Sequence, residues 1–332
     1  MIEMPKILML NTYRGFIGGV ERLMANMAVT MRENDWMVYG LFEQTAHEDP
    51  AFDSVFDDFE VFGDGDFEEM ISYYTELGIN VVCIHKTTRR NWVKLLQQNF
   101  PTAVFVHDHD YYCLRRHKYL PYKRINCYLP FSLVYCPLCS GMVEKSAGNY
   151  RLIDFQEKAL MLSQIRKCDL SFVLSDYMKH NLLMNKWHAS KIVKLIPNAT
   201  LQEDITTVYN EIPIILYVGQ LIRGKGVDLA INALSRVSEP FKFVVLGRGN
   251  DENYLKEISA QLLPGKAEFL GWAADVNQIY AGADIVVVPS RWQEPFGLVG
   301  LEAFSKSKPV VAFDIGGISE WLKHKVNGLL VY

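Results

Sequence analysis

Two carboxylates eight residues apart, Glu294 and Glu302, bracket the run Ser290-Arg-Trp-Gln-Glu-Pro-Phe-Gly-Leu-Val-Gly-Leu-Glu-Ala303. The run leaves an apolar strand-like stretch, turns at Pro295 and Gly297, and enters a helix. At that helix start Phe296, Gly297 and Leu298 would offer free backbone N–H groups, where the helix dipole also favours anions. A diphosphate fits there, and carboxylates accept paired hydrogen bonds from a sugar or ribose diol. A blander alternative makes Glu294 a loop charge and Glu302 a solvated helix charge. Near the N-terminus, Gly18 and Gly19 precede a helix and would let a backbone approach a phosphate or sugar closely, unless they are a plain turn pair. The glycines there lack the G-x-G-x-x-G spacing of a dinucleotide site, which argues against a nicotinamide enzyme. His107 follows a strand, as either a site residue or a satisfied structural histidine, and Asp108 and His109 beside it are candidates for an acceptor.

Cysteine chemistry is the other candidate. Cys113, Cys127, Cys136 and Cys139 fall in one irregular segment, 111–150, and Cys136-Pro-Leu-Cys139 has the spacing of a metal knuckle. Four thiolates suffice for a tetrahedral structural zinc that would staple a long loop. Unligated thiols and an iron–sulfur cluster are the alternatives. Cys83 and Cys168 sit in or beside apolar strands and read as small buried residues. The same segment mixes aromatic and basic side chains, which suits either a packed loop or contact with a membrane surface.

The positioning elements are read from periodicity. Short apolar strands at 6–11, 37–42, 80–85, 103–107 and 170–175 alternate with helical stretches, of which 20–33 carries Leu23, Met27 and Met31 on one face. A second series has strands at 214–219, 241–246, 267–270 and 284–289, with helices at 227–237, 252–262 and around Leu298–Ser305. Buried strands alternating with helices specify parallel sheets covered on both faces. The expected architecture is α/β, two Rossmann-like doubly wound domains facing across a cleft, with ligands beyond the carboxyl ends of the strands. The domains are expected at 1–200, with the Cys-rich insertion, and at 210–332, joined by a linker through Ile196-Pro-Asn-Ala-Thr and 202–210.

A length of 332 residues allows two domains of about 150 each. With 49% hydrophobic and 22% charged residues and a net charge of −4, the chain has an ordinary soluble composition and no electrostatic footprint for nucleic acid. No apolar run reaches the roughly 20 residues of a membrane span, and no signal-peptide pattern opens the chain. These features lead to an expectation of a cytoplasmic location, at the inner membrane face if the basic aromatic segment touches lipid.

From about residue 214 to 332 the sequence resembles glycosyltransferase family 4, the retaining GT-B enzymes. The Glu-x7-Glu motif, Val218-Gly-Gln-Leu-Ile-Arg-Gly-Lys-Gly226, Val245-Leu-Gly-Arg-Gly249 and Phe269-Leu-Gly-Trp272 stand in the family's order. Gly18-Gly-Val-Glu-Arg22, His107 and Ile196-Pro-Asn198 extend a weaker resemblance to the first half. The resemblance implies that Glu302 holds the donor ribose and Glu294 the transferred sugar, near the N–H groups of Phe296, Gly297 and Leu298. Lys225 would neutralise the leaving diphosphate. His107 would meet the donor sugar, and Gly18, Gly19, Gly247 and Trp272 would line the donor site. The family's arginine after the Val-Gly pair is here Gln220, and Arg223 is the candidate to replace it.

The implied reaction moves a sugar from a UDP- or GDP-linked donor to a glycan or lipid-linked acceptor of cell-surface polysaccharide synthesis. In this family retention is attributed to front-face attack, which needs no strong protein base and no catalytic metal. Intact Glu294, Glu302 and Lys225 favour transfer over mere binding of a nucleotide sugar, and the order of the motifs disfavours an epimerase. Family members continue beyond the Glu-x7-Glu helix with further helices, whereas this sequence stops at Tyr332.

Overall fold

A computed structural model of the chain describes residues 4–63, 67–120, 123, 125–140, 143–146, 149–196, 210–273 and 276–332. Pro197, Asn198 and most of the expected linker lie outside the described residues. By contacts the chain divides into two compact units. The first is Met1–Leu114, Pro130–Val173 and Lys179–Leu195; the second is Arg115–Leu129, Leu174–Met178 and Ile196–Tyr332.

In chain order the elements up to residue 114 are β1 (Lys6–Arg14), α1 (Gly19–Glu33), β2 (Met37–Thr45), α2 (Pro50–Asp53), β3 (Asp58–Val61), α3 (Phe67–Glu76), β4 (Val81–Ile84), α4 (Arg90–Asn99) and β5 (Thr102–Phe105). Next come two short antiparallel strands, β6 (Tyr119–Leu120) and β7 (Ile125–Asn126), then α5 (Tyr135–Ser140) and the hairpin β8 (Val143–Ser146) and β9 (Asn149–Leu152). The series closes with α6 (Phe155–Ile165), β10 (Leu170–Val173), α7 (Asp176–Met184) and β11 (Ile192–Lys194).

The first unit is built on a seven-stranded sheet in the order β11-β10-β5-β4-β1-β2-β3. Every neighbour pairs in parallel, with Leu8 aligned to Tyr39 on one side and to Val82 on the other. A strand buried on both faces must be apolar at consecutive positions, and Ile7, Leu8, Met9 and Leu10 of β1 are all buried. The face of α1 turned to the sheet is centred on Met24, Ala25 and Ala28, with Glu21. The expected stripe of Leu23, Met27 and Met31 is only half buried. Small alanines let a helix lie close to a sheet, so the flanking long side chains are left at the rim.

The second unit contributes β12 (Ile214–Val218), the 3-10 turn Arg223–Lys225, α8 (Val227–Leu234), β13 (Lys242–Leu246), α9 (Glu252–Leu262), β14 (Ala267–Gly271) and α10 (Asn277–Gly282). It ends with β15 (Ile285–Val288), α11 (Leu298–Ser305), β16 (Val310–Phe313), α12 (Ile318–Trp321) and β17 (Gly328–Val331). These strands form a six-stranded parallel sheet, β14-β13-β12-β15-β16-β17. Alternation along β12 feeds two cores. Leu216 joins Val286, Tyr280, Ala303 and Ile318, while Tyr217 joins Phe243, Val227, Ile231 and Leu255.

Each sheet therefore has two strands running out to one side of its first strand and the rest to the other. The chain reverses its winding between β1 and β4 in one unit and between β12 and β15 in the other. That is where an open parallel sheet leaves room for a ligand.

Two expectations change. The segment 111–150 is not one irregular loop of the first domain. Arg115–Leu129 belongs by contacts to the second unit, as does Leu174–Met178. The expected helix 227–237 ends at Leu234, where the chain turns through Ser235.

Candidate functional site

Beyond β15 the chain carries Glu294 on a loop sewn to the turn after β12. Gly226 has φ of +71°, and a Cβ there would lie 1.9 Å from the Pro289 carbonyl oxygen, so only glycine lets the two segments touch. Arg291 N–H donates to the Gly224 carbonyl at 2.8 Å. The Arg291 guanidinium grips Asp228 through two bonds of 2.5 and 2.7 Å and donates to the Arg223 carbonyl at 3.1 Å. This two-point pairing fixes the loop in register.

The register delivers Lys225 Nζ to Glu294 Oε1 at 2.7 Å. Trp292 Nε1 donates to the same oxygen at 2.7 Å, and so does the Ser290 hydroxyl. The ammonium lies 4.5 Å from the centre of the Trp292 ring, an added cation–π contact. Burial alone would raise the Glu294 carboxyl, but the Lys225 charge and the three hydrogen bonds outweigh it and hold the group below its ordinary range. Its other oxygen, Oε2, has no hydrogen-bond partner among the described residues, so half of the carboxylate remains to meet a ligand.

The main chain of Glu294 is clamped from behind. Gly317 N–H donates to its carbonyl at 2.8 Å, and a Cβ on Gly316, with φ of +63°, would lie 2.0 Å from the same oxygen. Trp321 packs over α11, where a Cβ on Gly300 would fall 2.0 Å from its ring, and its indole N–H donates to the Phe296 carbonyl at 2.6 Å. Sequence reasoning missed Gly300, Gly316, Gly317 and Trp321; the Gly-Gly pair after an apolar run was the available signal.

Gly297 caps α11 in the left-handed region at φ of +87°. Among the described residues no carbonyl accepts from the N–H groups of Phe296, Gly297 or Leu298. These donors meet the positive end of α11, as an anion site requires. Glu302, one turn further, accepts from the Tyr280 hydroxyl at 2.7 Å through Oε2, which orients the carboxylate and leaves Oε1.

The remaining candidates of this unit stand at the carboxyl ends of β12, β13 and β14. Gly219 and Gly247 have φ of +148° and +142°, and a Cβ on Gly247 would lie 1.9 Å from the Gly219 carbonyl oxygen. The chain ends of β12 and β13 meet there without side chains between them. Gln220 is exposed, and its main-chain carbonyl accepts from the buried Tyr217 hydroxyl at 2.9 Å. Trp272 is half exposed just past β14. Arg223 pairs with Asp251 at 3.1 Å and lies 4.6 Å over the Tyr254 ring. It is therefore tied to the start of α9 rather than joined to Lys225 at Glu294.

In the first unit, His107 follows β5 and its Nε2 lies 2.9 Å from Nδ1 of His85, which follows β4. Burial drives His85 down to about 3, and burial together with the neighbouring His85 and Lys86 drives His107 well below its usual value. Both imidazoles are therefore held neutral, joined by one N–H···N hydrogen bond. His85 was not foreseen as a site residue, although it closes the apolar run Val81-Val-Cys-Ile-His85. Lys86 pairs with Asp108 at 2.8 Å and Asp110 at 3.4 Å. His109 is buried against the Tyr112 hydroxyl at 2.8 Å, a structural contact rather than an open acceptor group.

Gly18 N–H donates to Glu21 Oε2 at 3.0 Å, and the other Glu21 oxygen accepts from Asn11 at 3.1 Å. Gly18 itself is extended, and a Cβ there would meet nothing nearer than Glu21 at 3.9 Å. Neither backbone nor packing demands glycine at Gly18, and a Cβ there would meet open space. Gly19 is exposed as the first residue of α1.

Cys113, Cys127, Cys136 and Cys139 are the residues expected to hold a structural zinc. All four thiols are described, yet no three His, Cys, Asp or Glu side chains among the described residues gather as a metal site requires. Cys113, Cys136 and Cys139 belong to the first unit and Cys127 to the second. Local hydrogen bonds organise the segment instead. Ser132 caps the turn into α5, and its own N–H points to Cys136 Sγ at 3.3 Å, while Asn185 accepts from the Phe131 N–H at 2.8 Å.

Residues 199–332 match the family model described as Glycosyl transferases group 1. An uncharacterised glycosyltransferase of Methanocaldococcus jannaschii, MJ1607, is 39% identical over 130 residues, which are 38% of this chain and 33% of that protein. The lipopolysaccharide core biosynthesis glycosyltransferase LpsE of Rhizobium meliloti is 23% identical over 207 residues, 60% of each chain. The chain thus spans about a third of the first relative's length and under two thirds of the second's. In structure it is similar to Alr3699/HepE of Anabaena, solved with UDP and glucose, with a TM-score of 0.70 and 18% identity over 98% of this chain and 85% of that one. The fold is that of two Rossmann-like domains of the GT-B kind, and the stretch of the second unit from residue 199 to 332 is the part similar to the glycosyl transferases group 1 family.

Proposed function

We propose that this protein transfers a sugar, with retention of configuration, from a UDP-linked donor to a glycan or lipid-linked acceptor, as a hexosyltransferase-type enzyme of family 4. One observation carries the reading: the Lys225–Glu294 pair stands beside unengaged N–H groups at the start of α11, with Glu302 one turn on. Phe296, Gly297 and Leu298 hold the diphosphate, and Lys225 turns from Glu294 to the leaving phosphate, where a fixed cation lowers the barrier as charge develops. Glu294 Oε2 then takes hydroxyls of the transferred sugar, and Glu302 Oε1 takes the ribose diol. Gly219, Gln220, Gly247 and Trp272 flank the nucleoside, while Arg223 stays with Asp251 as a support of the loop. His107, kept neutral, offers a hydrogen bond without competing charge, and Gly18 and Gly19 leave room for the sugar or phosphate.

The UDP found with the Anabaena protein and the lipopolysaccharide role named for the Rhizobium protein support a UDP-sugar and a cell-surface glycan. No cofactor enters this chemistry. Among the described residues no helix is long and apolar enough to cross a membrane. Peripheral contact at the inner face is supported by residues 111–143, which hold five Arg and Lys but no Asp or Glu. Tyr128, Leu129, Val134 and Leu138 of that stretch are exposed.

The test is a thermal-shift series with UDP-, GDP- and ADP-glucose on the full chain and on Glu302→Ala. A UDP-sugar should raise the melting temperature of the natural chain alone. If no nucleotide sugar does so, or the variant responds equally, the reading fails.

A further inference from the structure

We infer that Gln293 is a positioning residue for the donor sugar, acting through Glu294, and that the hairpin segment Arg115–Leu129 is thereby a working part of the donor unit. The inference rests on the reading of Glu294 given above. Gln293 precedes Glu294, is only 1% exposed, and carries an amide that no apolar neighbour could satisfy. Its Nε2 donates to the Lys118 carbonyl at 3.0 Å and to the Cys127 carbonyl at 2.8 Å. Its Oε1 accepts from the Tyr177 hydroxyl. Both amide protons and the amide oxygen are therefore engaged, and only a primary amide offers two donors and an acceptor in one plane.

The two carbonyls that receive it face each other across the base of the β6–β7 pair, where Cys127 N–H also bonds the Lys118 carbonyl at 2.7 Å. Two flanking contacts repeat the connection. Asn126 donates to the Arg291 carbonyl at 3.0 Å, and the His117 ring lies 3.9 Å from that of Trp292. Trp292 in turn donates to Glu294 Oε1. Residues 291, 292 and 293 thus each grip the hairpin, and residue 294 inherits the result. Ser175 adds a hydroxyl bond to the Pro295 carbonyl at 2.5 Å, on the next peptide along.

The contacts of Gln293, Asn126 and His117 end at residues 291–293 and touch neither the N–H groups at the start of α11 nor Glu302. Disturbing it should loosen the sugar contact of Glu294 and leave nucleotide binding in place. A general loss of structure would weaken both alike.

Calorimetric titration with UDP and with UDP-glucose separates the two. Gln293→Met keeps the volume and removes the amide. It should weaken UDP-glucose about tenfold, the scale of one contact to a charged group, while UDP changes less than about twofold. Tyr177→Phe and Asn126→Ala, each losing one hydrogen bond, should show the same split at smaller size, and they serve if Gln293→Met does not fold. Equal loss for both ligands, or no loss, in the variants that fold overturns the inference. A natural chain that binds neither ligand defeats the donor-site reading instead, which is a distinct result.

Discussion

The two units have the same strand order about their first strands and the same reversal of winding, yet the groups at their carboxyl ends are chemically opposite. In the second unit a lysine and a glutamate are pinned together at 2.7 Å next to a helix start, and their pairing outweighs the cost of burying the carboxylate. In the first, two histidines are joined by one hydrogen bond and burial strips them of charge. On the proposed reading, one end meets an anion and the other offers neutral hydrogen bonds. The fold supplies the location, and the residues after each strand supply the chemistry.

The largest expected effect breaks the charged end. Lys225→Met leaves Glu294 buried without its cation and should destabilise the second unit by about 3 kcal/mol. Adding Glu294→Gln should recover most of that loss. Denaturant unfolding, followed by exchange of amides in each unit, measures both, and an equally unstable double variant would show that the pair is not coupled.

Next comes pH. The folded value of His85 is lowered to about 3 from 6.5, so between those values the unfolded chain binds a proton that the folded chain does not. Stability of the first unit is therefore full above pH 6.5 and falls as pH falls, by about 2 kcal/mol between pH 6.5 and 5. Glu294, held below its ordinary 4.5, keeps its contribution above that value and loses it only as pH falls further. Protection factors, taken relative to the slower intrinsic exchange at pH 5, should thus fall from pH 7 to pH 5 in the first unit alone; an equal fall in both units would remove the contrast.

Glycine substitutions sharpen it further. Gly300→Ala forces a methyl into the Trp321 ring and should cost the second unit about 1–2 kcal/mol, as overpacking does. Gly18→Ala, with open space before it, should change the unfolding free energy by less than the scatter of ordinary surface substitutions, about 0.5 kcal/mol. A large loss at Gly18 would mean that the space is already needed by the protein itself.

The second unit was the more legible in sequence because its site is local. Ser290, Trp292 and Glu294 lie within five residues, and α9 and α11 have the extents that periodicity gave them. What escaped were partners brought in from far along the chain: Gly316 behind Glu294, Tyr280 on Glu302, and the hairpin carbonyls on Gln293. No local pattern records these contacts. Arg223 lay two residues from Lys225 in sequence, yet the 3-10 turn points it at Asp251. In the first unit α1 was found, but its buried face was set by alanines that a hydrophobic stripe overlooks. The Cys136–Cys139 spacing suggested a knuckle, and what the spacing could not show is that both residues sit on the short helix α5.

Hydrogen–deuterium exchange with and without UDP-glucose addresses the charged end most directly. Exchange should slow at the amides of Phe296, Gly297, Leu298 and Val299 and across the turn 219–226 after β12. Unchanged exchange at those amides, with UDP-glucose bound and protection confined to the first unit, would contradict the assignment of the donor to the second.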